Sequence, residues 1–150
     1  MTHTFNGIDE PRVAVGEYMG YDNWHQVTEE AVNQFGKVTG EYQWIHVDSE
    51  RAKSSSSDGI IAHSHITLPW VPLIWQIYQI KGVTMNINCE SNKMLFQTSV
   101  SLRSRVRVGV NLASVKPSSL GFTMATRVTI TIKGSDKLAC VAKTLSMVVP

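Results

Sequence analysis

The sequence predicts an α+β fold in which an antiparallel sheet wraps around one long buried helix. Three observations carry that expectation. Residues 64–80, SHITLPWVPLIWQIYQI, are apolar on nearly every side, as a helix enclosed by other elements must be. Almost everything after Gly82 alternates apolar and polar residues at the period of a half-buried strand. Before that helix, only one stretch carries the start signal and spacing of an amphipathic helix.

The elements follow in order. The N-terminus, MTHTFNGIDEPR, has no basic start followed by an apolar run, so no signal peptide is expected. Thr28-Glu29-Glu30 opens the first helix, with Thr28 as its cap and two acids in the first turn where the helix dipole favours them. Val32 and Phe35 lie three apart on its inner face, and Gly36 weakens its end. In residues 38–48, VTGEYQWIHVD, the glycine and the β-branched residues oppose a helix. A strand would send Glu41 and His46 to opposite faces because their separation is odd. The expectation is an irregular loop held in one shape by its surroundings, in which the two side chains can converge. Ser54-Ser55-Ser56-Ser57, followed by Asp58-Gly59, reads as a mobile surface loop.

Pro69 and Pro72 are tolerated in a first turn, so the regular part of the long helix is expected to begin near Leu68, and Lys81-Gly82 stops it. Residues 83–88 and 94–100 are two candidate strands. Val106, Val108, Val110 and Leu112 face one way and Arg105 and Arg107 the other, while Phe122, Met124, Val128, Ile130 and Ile132 share one face. Gly134-Ser135-Asp136 turns a hairpin into LACVAKTLSMVV. Such a meander must wrap the apolar helix to bury it, which is a hot-dog arrangement. One sheet around one helix leaves an edge strand and an open flank, so a homodimer is expected.

Length and composition bound the rest. The 150 residues form one domain, 1–150, with 43% apolar and 17% charged residues, as in ordinary globular proteins. A net charge of +2, with no basic run interleaved with aromatics, argues against nucleic acid. The most apolar segment, 66–80, is broken by two prolines and two glutamines and is too short to span a bilayer. Cys89 and Cys140 stand singly in apolar, strand-like contexts and read as buried thiols of a reducing compartment, hence a cytoplasmic protein with no membrane partner.

Chemistry is expected where Glu41 and His46 meet the start of the long helix. A glutamate in a loop is most often solvated, and a histidine beside Trp44 and Ile45 is most often structural. His63, Ser64 and His65, however, sit where a helix offers unbonded N–H groups and the positive end of its dipole, suited to an oxyanion or a substrate carbonyl. A carboxylate, an imidazole and an N–H donor in one groove make a general acid–base site that requires no metal and no cofactor. The set His46, His63, His65 and Glu41 fits no zinc spacing, and no GxSxG elbow is present. Arg103, Arg105 and Arg107 read as a solvated basic ridge, with contact to the phosphates of a coenzyme A or carrier arm as the alternative. Trp70, Trp75 and Tyr78 read as core or groove wall.

VTGEYQWIHVDSERA, IIAHSHITL, the buried helix and NKMLF, in this order, resemble the MaoC-like dehydratase and (R)-specific enoyl-CoA hydratase family, in particular its single-domain, NodN-like branch. The resemblance runs from about Val13 to the C-terminus. It implies a homodimeric hot-dog lyase, free of cofactors, that adds water to a 2-enoyl thioester or removes it from a 3-hydroxyacyl thioester carried on coenzyme A or a carrier protein. It further implies that Glu41 and His46 hold and activate the water and that the N–H of Ser64 binds the thioester oxygen. This chain departs from the family pattern at Glu41, where Asp is usual, and at His63-Ser64, where His-Gly is usual. It departs again at Cys89-Glu90 in place of Tyr-Gly and at Leu95-Phe96 in place of Arg-Phe. Two further functions therefore stay open: a repurposed hot-dog enzyme that dehydrates, isomerises or cyclises a polyketide or other secondary metabolite, and a subunit that binds a ligand without turnover.

Overall fold

The computed structural model describes residues 3–150. Period-two patterning builds its main body. Strands β5 (Met85–Phe96), β6 (Arg105–Ser118), β7 (Gly121–Ile132) and β8 (Leu138–Val149) form an antiparallel sheet, completed on the far side of β6 by β2 (Tyr18–Tyr21) and β3 (His25–Gln26). The strand order is β2-β6-β7-β8-β5. The inner face carries Val106, Val108, Val110 and Leu112 from β6, Phe122, Met124, Val128 and Ile130 from β7, and Cys140, Ala142 and Val148 from β8, all buried. Ile66, Ile74 and Ile77 from the segment before the sheet join all of these but Ala142 in one contiguous apolar cluster.

That segment departs from expectation. The helix covers Ser64–Gln76, is wound as a 3₁₀ helix, and is buried chiefly at Ile66, Thr67 and Ile74, whereas Pro69, Pro72 and Gln76 are exposed. The prolines explain the winding. Each lacks an N–H and would clash with the preceding turn of an α-helix. At three residues per turn, positions 69 and 72 eclipse each other, so both missing donors fall on one exposed line. The helix then stops short of residue 80, because Tyr78–Ile80 is a strand (β4) paired in parallel with β1 (His3–Phe5).

Two expected strands are one. Residues 85–96 run as a single edge strand whose register shifts between Asn88 and Glu90 and again between Asn92 and Leu95. A bulge inserts a residue and breaks the alternation without ending the strand, so each pattern reads as a separate piece. Cys89 lies at the first irregularity and is exposed, not buried, while Cys140 is buried and its thiol is pushed up by burial, with the Thr67 hydroxyl opposing. Beyond Phe96 the chain leaves the sheet rather than continuing to residue 100.

The first long helix, α2 (Glu29–Thr39), follows α1 (Glu10–Val13) and is capped as its sequence indicates. The Thr28 hydroxyl accepts from the Ala31 N–H at 3.1 Å. Gly36 does not end it. Gly40 does, at φ 75°, with its N–H donating to the Gly36 carbonyl at 2.8 Å. Two short helices, α3 (Trp44–Val47) and α4 (Ser49–Lys53), lead to the serine run. There the Ser55 and Ser57 hydroxyls bond each other at 2.6 Å and reach the Ala52 and Gly59 carbonyls, so the turn is knitted together by its own side chains. Among the described residues no helix is long and apolar enough to cross a membrane.

Candidate active site

The left-handed turn at Gly40 throws the chain out of α2 and delivers Glu41 to the edge of a cleft of about 570 Å³. The segment is more regular than its sequence suggests: Val38 and Thr39 finish α2, and residues 44–47 form one helical turn. One turn resets the phase of the side chains, so the odd separation of Glu41 and His46 does not oppose them, and both border the same cleft. The Glu41 N–H donates to the Thr39 hydroxyl at 3.4 Å, and its carboxylate accepts from the Gln43 N–H at 3.1 Å, at the start of α3. That carboxylate is exposed and, among the described residues, in no salt bridge.

His46 is 8% exposed, and its Nδ1 lies 2.7 Å from the Ile61 carbonyl oxygen. A carbonyl only accepts, so Nδ1 carries the proton and Nε2 keeps the lone pair. An imidazole held in this tautomer can take up a proton at Nε2. His63, 4% exposed, stacks on His46 with ring centroids 3.9 Å apart and an interplanar angle of 29°. Its Nε2 lies 3.1 Å from the Glu41 carbonyl oxygen and donates to it, while the Phe35 ring lies tilted with its centroid at 5.1 Å. Burial lowers the His63 imidazole's pKa from its ordinary value, opposed by the bond to the Glu41 carbonyl and by the Glu41 charge and reinforced by His46.

Ser64 and His65 are exposed at the start of the 3₁₀ helix, on the rim of the cleft. The first bond of that helix runs from the Ile66 N–H to the His63 carbonyl at 3.0 Å, so the N–H groups of Ser64 and His65 precede the first closed turn. The His65 ring rests on Phe96 at 5.0 Å. The structure thus gathers Glu41, His46, His63, Ser64 and His65 around one cleft, but places His63 in the packed wall behind His46 rather than on the open rim.

Several further lining residues were given no role in the site by the sequence. Thr39 and Phe96 line the cleft, and Phe35, whose spacing marks it as core, lines it too. Away from the cleft, the fully buried Asp22 carboxylate binds His25 at 2.6 Å and the Val108 N–H at 2.7 Å. The Asp-x-x-His spacing was the one available sign of that anchor. The arginines do not form a ridge. Arg107 lies over the rings of Tyr21 and Trp24 at 3.6 and 4.5 Å, and Arg103, at φ 67° before β6 begins, lines a separate cleft with Glu29, Lys53 and Asp58. Aromatic faces attract the guanidinium, and the backbone turn ahead of β6 breaks the strand register on which a ridge depends. Trp70 stacks on His25 at 6.4 Å, and Tyr78 is buried in β4, both as wall or core. Among the described residues, no three His, Cys, Asp or Glu side chains are grouped as metal ligands.

Known proteins share this architecture. Residues 12–133 match the MaoC like domain. The chain is 40% identical over 144 residues to 3-hydroxyacyl-thioester dehydratase Z of Mycobacterium tuberculosis, covering 95% of each chain. It is 28% identical over 137 residues to nodulation protein N of Rhizobium meliloti, covering 89% of this chain and 85% of that one. The R-hydratase PhaJ1 of Pseudomonas aeruginosa, solved without ligand, superimposes with a TM-score of 0.74 at 16% identity over 90% of this chain and 81% of its own, and so shares the hot-dog fold. With a match that runs through both halves of the cleft and a named dehydratase aligned along nearly its whole length, this chain belongs to the MaoC-like dehydratase family and is an enzyme of the hydro-lyase type.

Proposed function

We propose that the protein interconverts a 3-hydroxyacyl thioester and the corresponding 2-enoyl thioester, with Glu41 and His46 as the acid–base pair. One observation carries the reading: Glu41, the Nδ1-protonated His46 and the unclosed first turn at Ser64 border a single cleft. In dehydration, a proton leaves C2 for the pair, the charge that develops on the thioester oxygen is held by the Ser64 N–H, and the C3 hydroxyl departs with a proton as water. Hydration is the reverse, with the attacking water held between the Glu41 carboxylate and His46 Nε2. The relative named as a 3-hydroxyacyl-thioester dehydratase supports this substrate class.

The test is hydration of crotonyl-CoA and a panel of longer enoyl thioesters, followed by loss of enoyl absorbance. Turnover of none of them would overturn the proposal. A second reading rests on the exposed Ser64 side chain at the helix start and on the extra methylene of Glu41: a groove rebuilt for a secondary metabolite that is not a thioester. Glu41→Asp separates the two. A hydratase keeps or gains enoyl-thioester hydration with the shorter acid, whereas a rebuilt groove shows no hydration and loses its own reaction.

The edge strand β5, exposed along most of its length, and the exposed line of the 3₁₀ helix support a homodimer with each groove completed by the other subunit. A sedimentation mass of one chain at micromolar concentration, unchanged on dilution, would refute it.

A further inference from the structure

His63 has neither the exposure nor the free donor of a group that meets substrate. It is 4% exposed, its Nε2 is committed to the Glu41 carbonyl, and its Nδ1 is buried with no hydrogen-bond partner. A buried, unpartnered nitrogen is costly and is retained where the rest of the ring has a task. Here the ring makes two contacts at the site. Its edge holds the backbone of one proposed catalytic residue, 22 positions away in the chain, and its face backs the imidazole of the other at 3.9 Å.

The surroundings are shaped to this arrangement. A Cβ on Gly36 would lie 2.9 Å from the Glu41 carbonyl oxygen and 3.6 Å from His63 Cε1, so only glycine in the middle of α2 lets the carbonyl reach the imidazole without displacement. That accounts for a helix-weakening residue in the interior of α2. The two carbonyl partners also impose opposite tautomers: His46 protonated on Nδ1 by Ile61, His63 protonated on Nε2 by Glu41. A second proton on His63 would be stranded at Nδ1, which is buried with no hydrogen-bond partner among the described residues.

We propose that His63 is a positioning residue for the dehydratase reaction: its Nε2–H fixes the backbone at Glu41, its ring fixes the plane of His46, and Gly36 provides the room for both. This rests on the acid–base roles given to Glu41 and His46 above.

The test compares wild type with His63→Phe, His63→Gln, Gly36→Ala and His46→Ala, using hydration of the best-turned-over enoyl thioester. His63→Phe keeps the ring stack and removes the donor. It should lower kcat about 100-fold, as a displacement of about 1 Å does, with KM within about threefold and thermal stability not reduced, since the orphaned nitrogen is gone. His63→Gln restores an N–H near the Nε2 position and should recover at least about tenfold. Gly36→Ala should lower kcat from the opposite side of the same contact. A His63→Phe enzyme with wild-type kcat, or a glutamine no better than phenylalanine, overturns the proposal. If His46→Ala remains fully active, the acid–base reading itself falls. If His46→Ala is inactive while His63→Phe is not, only the positioning role falls. Imidazole ¹⁵N spectra of the wild type test the arrangement with no substrate. His46 protonated on Nδ1 and His63 on Nε2 support it, and the opposite tautomer at His63 overturns it.

Discussion

The inner strands β6, β7 and β8 and the segment from α2 to the 3₁₀ helix are held together in different ways. In the strands, burial recurs at alternate positions over Val106–Leu112 of β6 and through most of β7 and β8, and the hydrogen bonds are the long backbone ladders of β6 with β7 and β7 with β8, each interrupted by one register shift. Register is over-determined there, because a one-residue slip would turn the whole apolar face to water. In the segment lining the cleft, α3 and α4 are single turns, and besides a few backbone bonds the chain is tied by two bonds between an imidazole and a distant carbonyl: His46 to Ile61 and His63 to Glu41. The first region carries stability through many small, interchangeable contributions. The second carries geometry through a few bonds that have no substitute. Changes in the two regions should therefore separate stability from activity.

The largest effects fall in the second region. Glu41→Gln keeps the bond to the Gln43 N–H but removes the ionisable group, so turnover should fall about 10²- to 10⁴-fold while thermal midpoint and ligand affinity stay near wild type. His46→Ala should lose as much, and His65→Ala far less, because His65 stands on the rim against Phe96. Steady-state kinetics read both, and equal, small losses at positions 46 and 65 would return His46 to a structural role.

The sheet should answer in the opposite sense. Leu112→Ala empties a position that is 1% exposed in β6 and should cost about 2–5 kcal/mol in denaturant unfolding. The kcat per folded molecule should hardly change. A loss of kcat at full folding would show that the two regions are less separate than their bonding implies.

Acidification probes the boundary between them. Burial lowers the His63 pKa in the folded chain relative to the ordinary 6.5, so the unfolded chain takes up the proton first. The groups facing this imidazole are His46 from α3 and Glu41, whose charges act in opposite directions. Stability from this group is therefore complete above about pH 6.5 and is lost as pH falls from there through the folded value. Denaturant midpoints measured against pH should show that loss in the wild type and lack it in His63→Phe. The smallest effect is at the helix cap. Thr28→Ala removes the acceptor of the Ala31 N–H and should cost about 1 kcal/mol with kinetics unchanged.

What could be read directly from the residues follows the same division. The inner faces of β6 and β7, the cap at Thr28 and the apolar character of residues 64–77 were legible, because each rests on spacing or on one local bond. Glu41 with His46, and His63 with Ser64, were legible as two separate short motifs, each of neighbours in sequence, and both border the cleft. The union of two expected strands in β5, the 3₁₀ winding past Pro69 and Pro72, and the diversion of Tyr78–Ile80 into a strand beside His3–Phe5 were not legible. Each depends on a partner strand or a packing surface that local pattern does not encode. The sequence by itself determined which side chains are oily, which can move a proton and where the chain turns. Only the tertiary structure decided that His63 holds Glu41 from 22 residues away and backs His46, and that Gly36 must be bare for it to do so. Bonds of that reach are set by the close packing of α2, α3 and the start of the 3₁₀ helix around His63, where one methyl group on Gly36 is enough to displace a carbonyl.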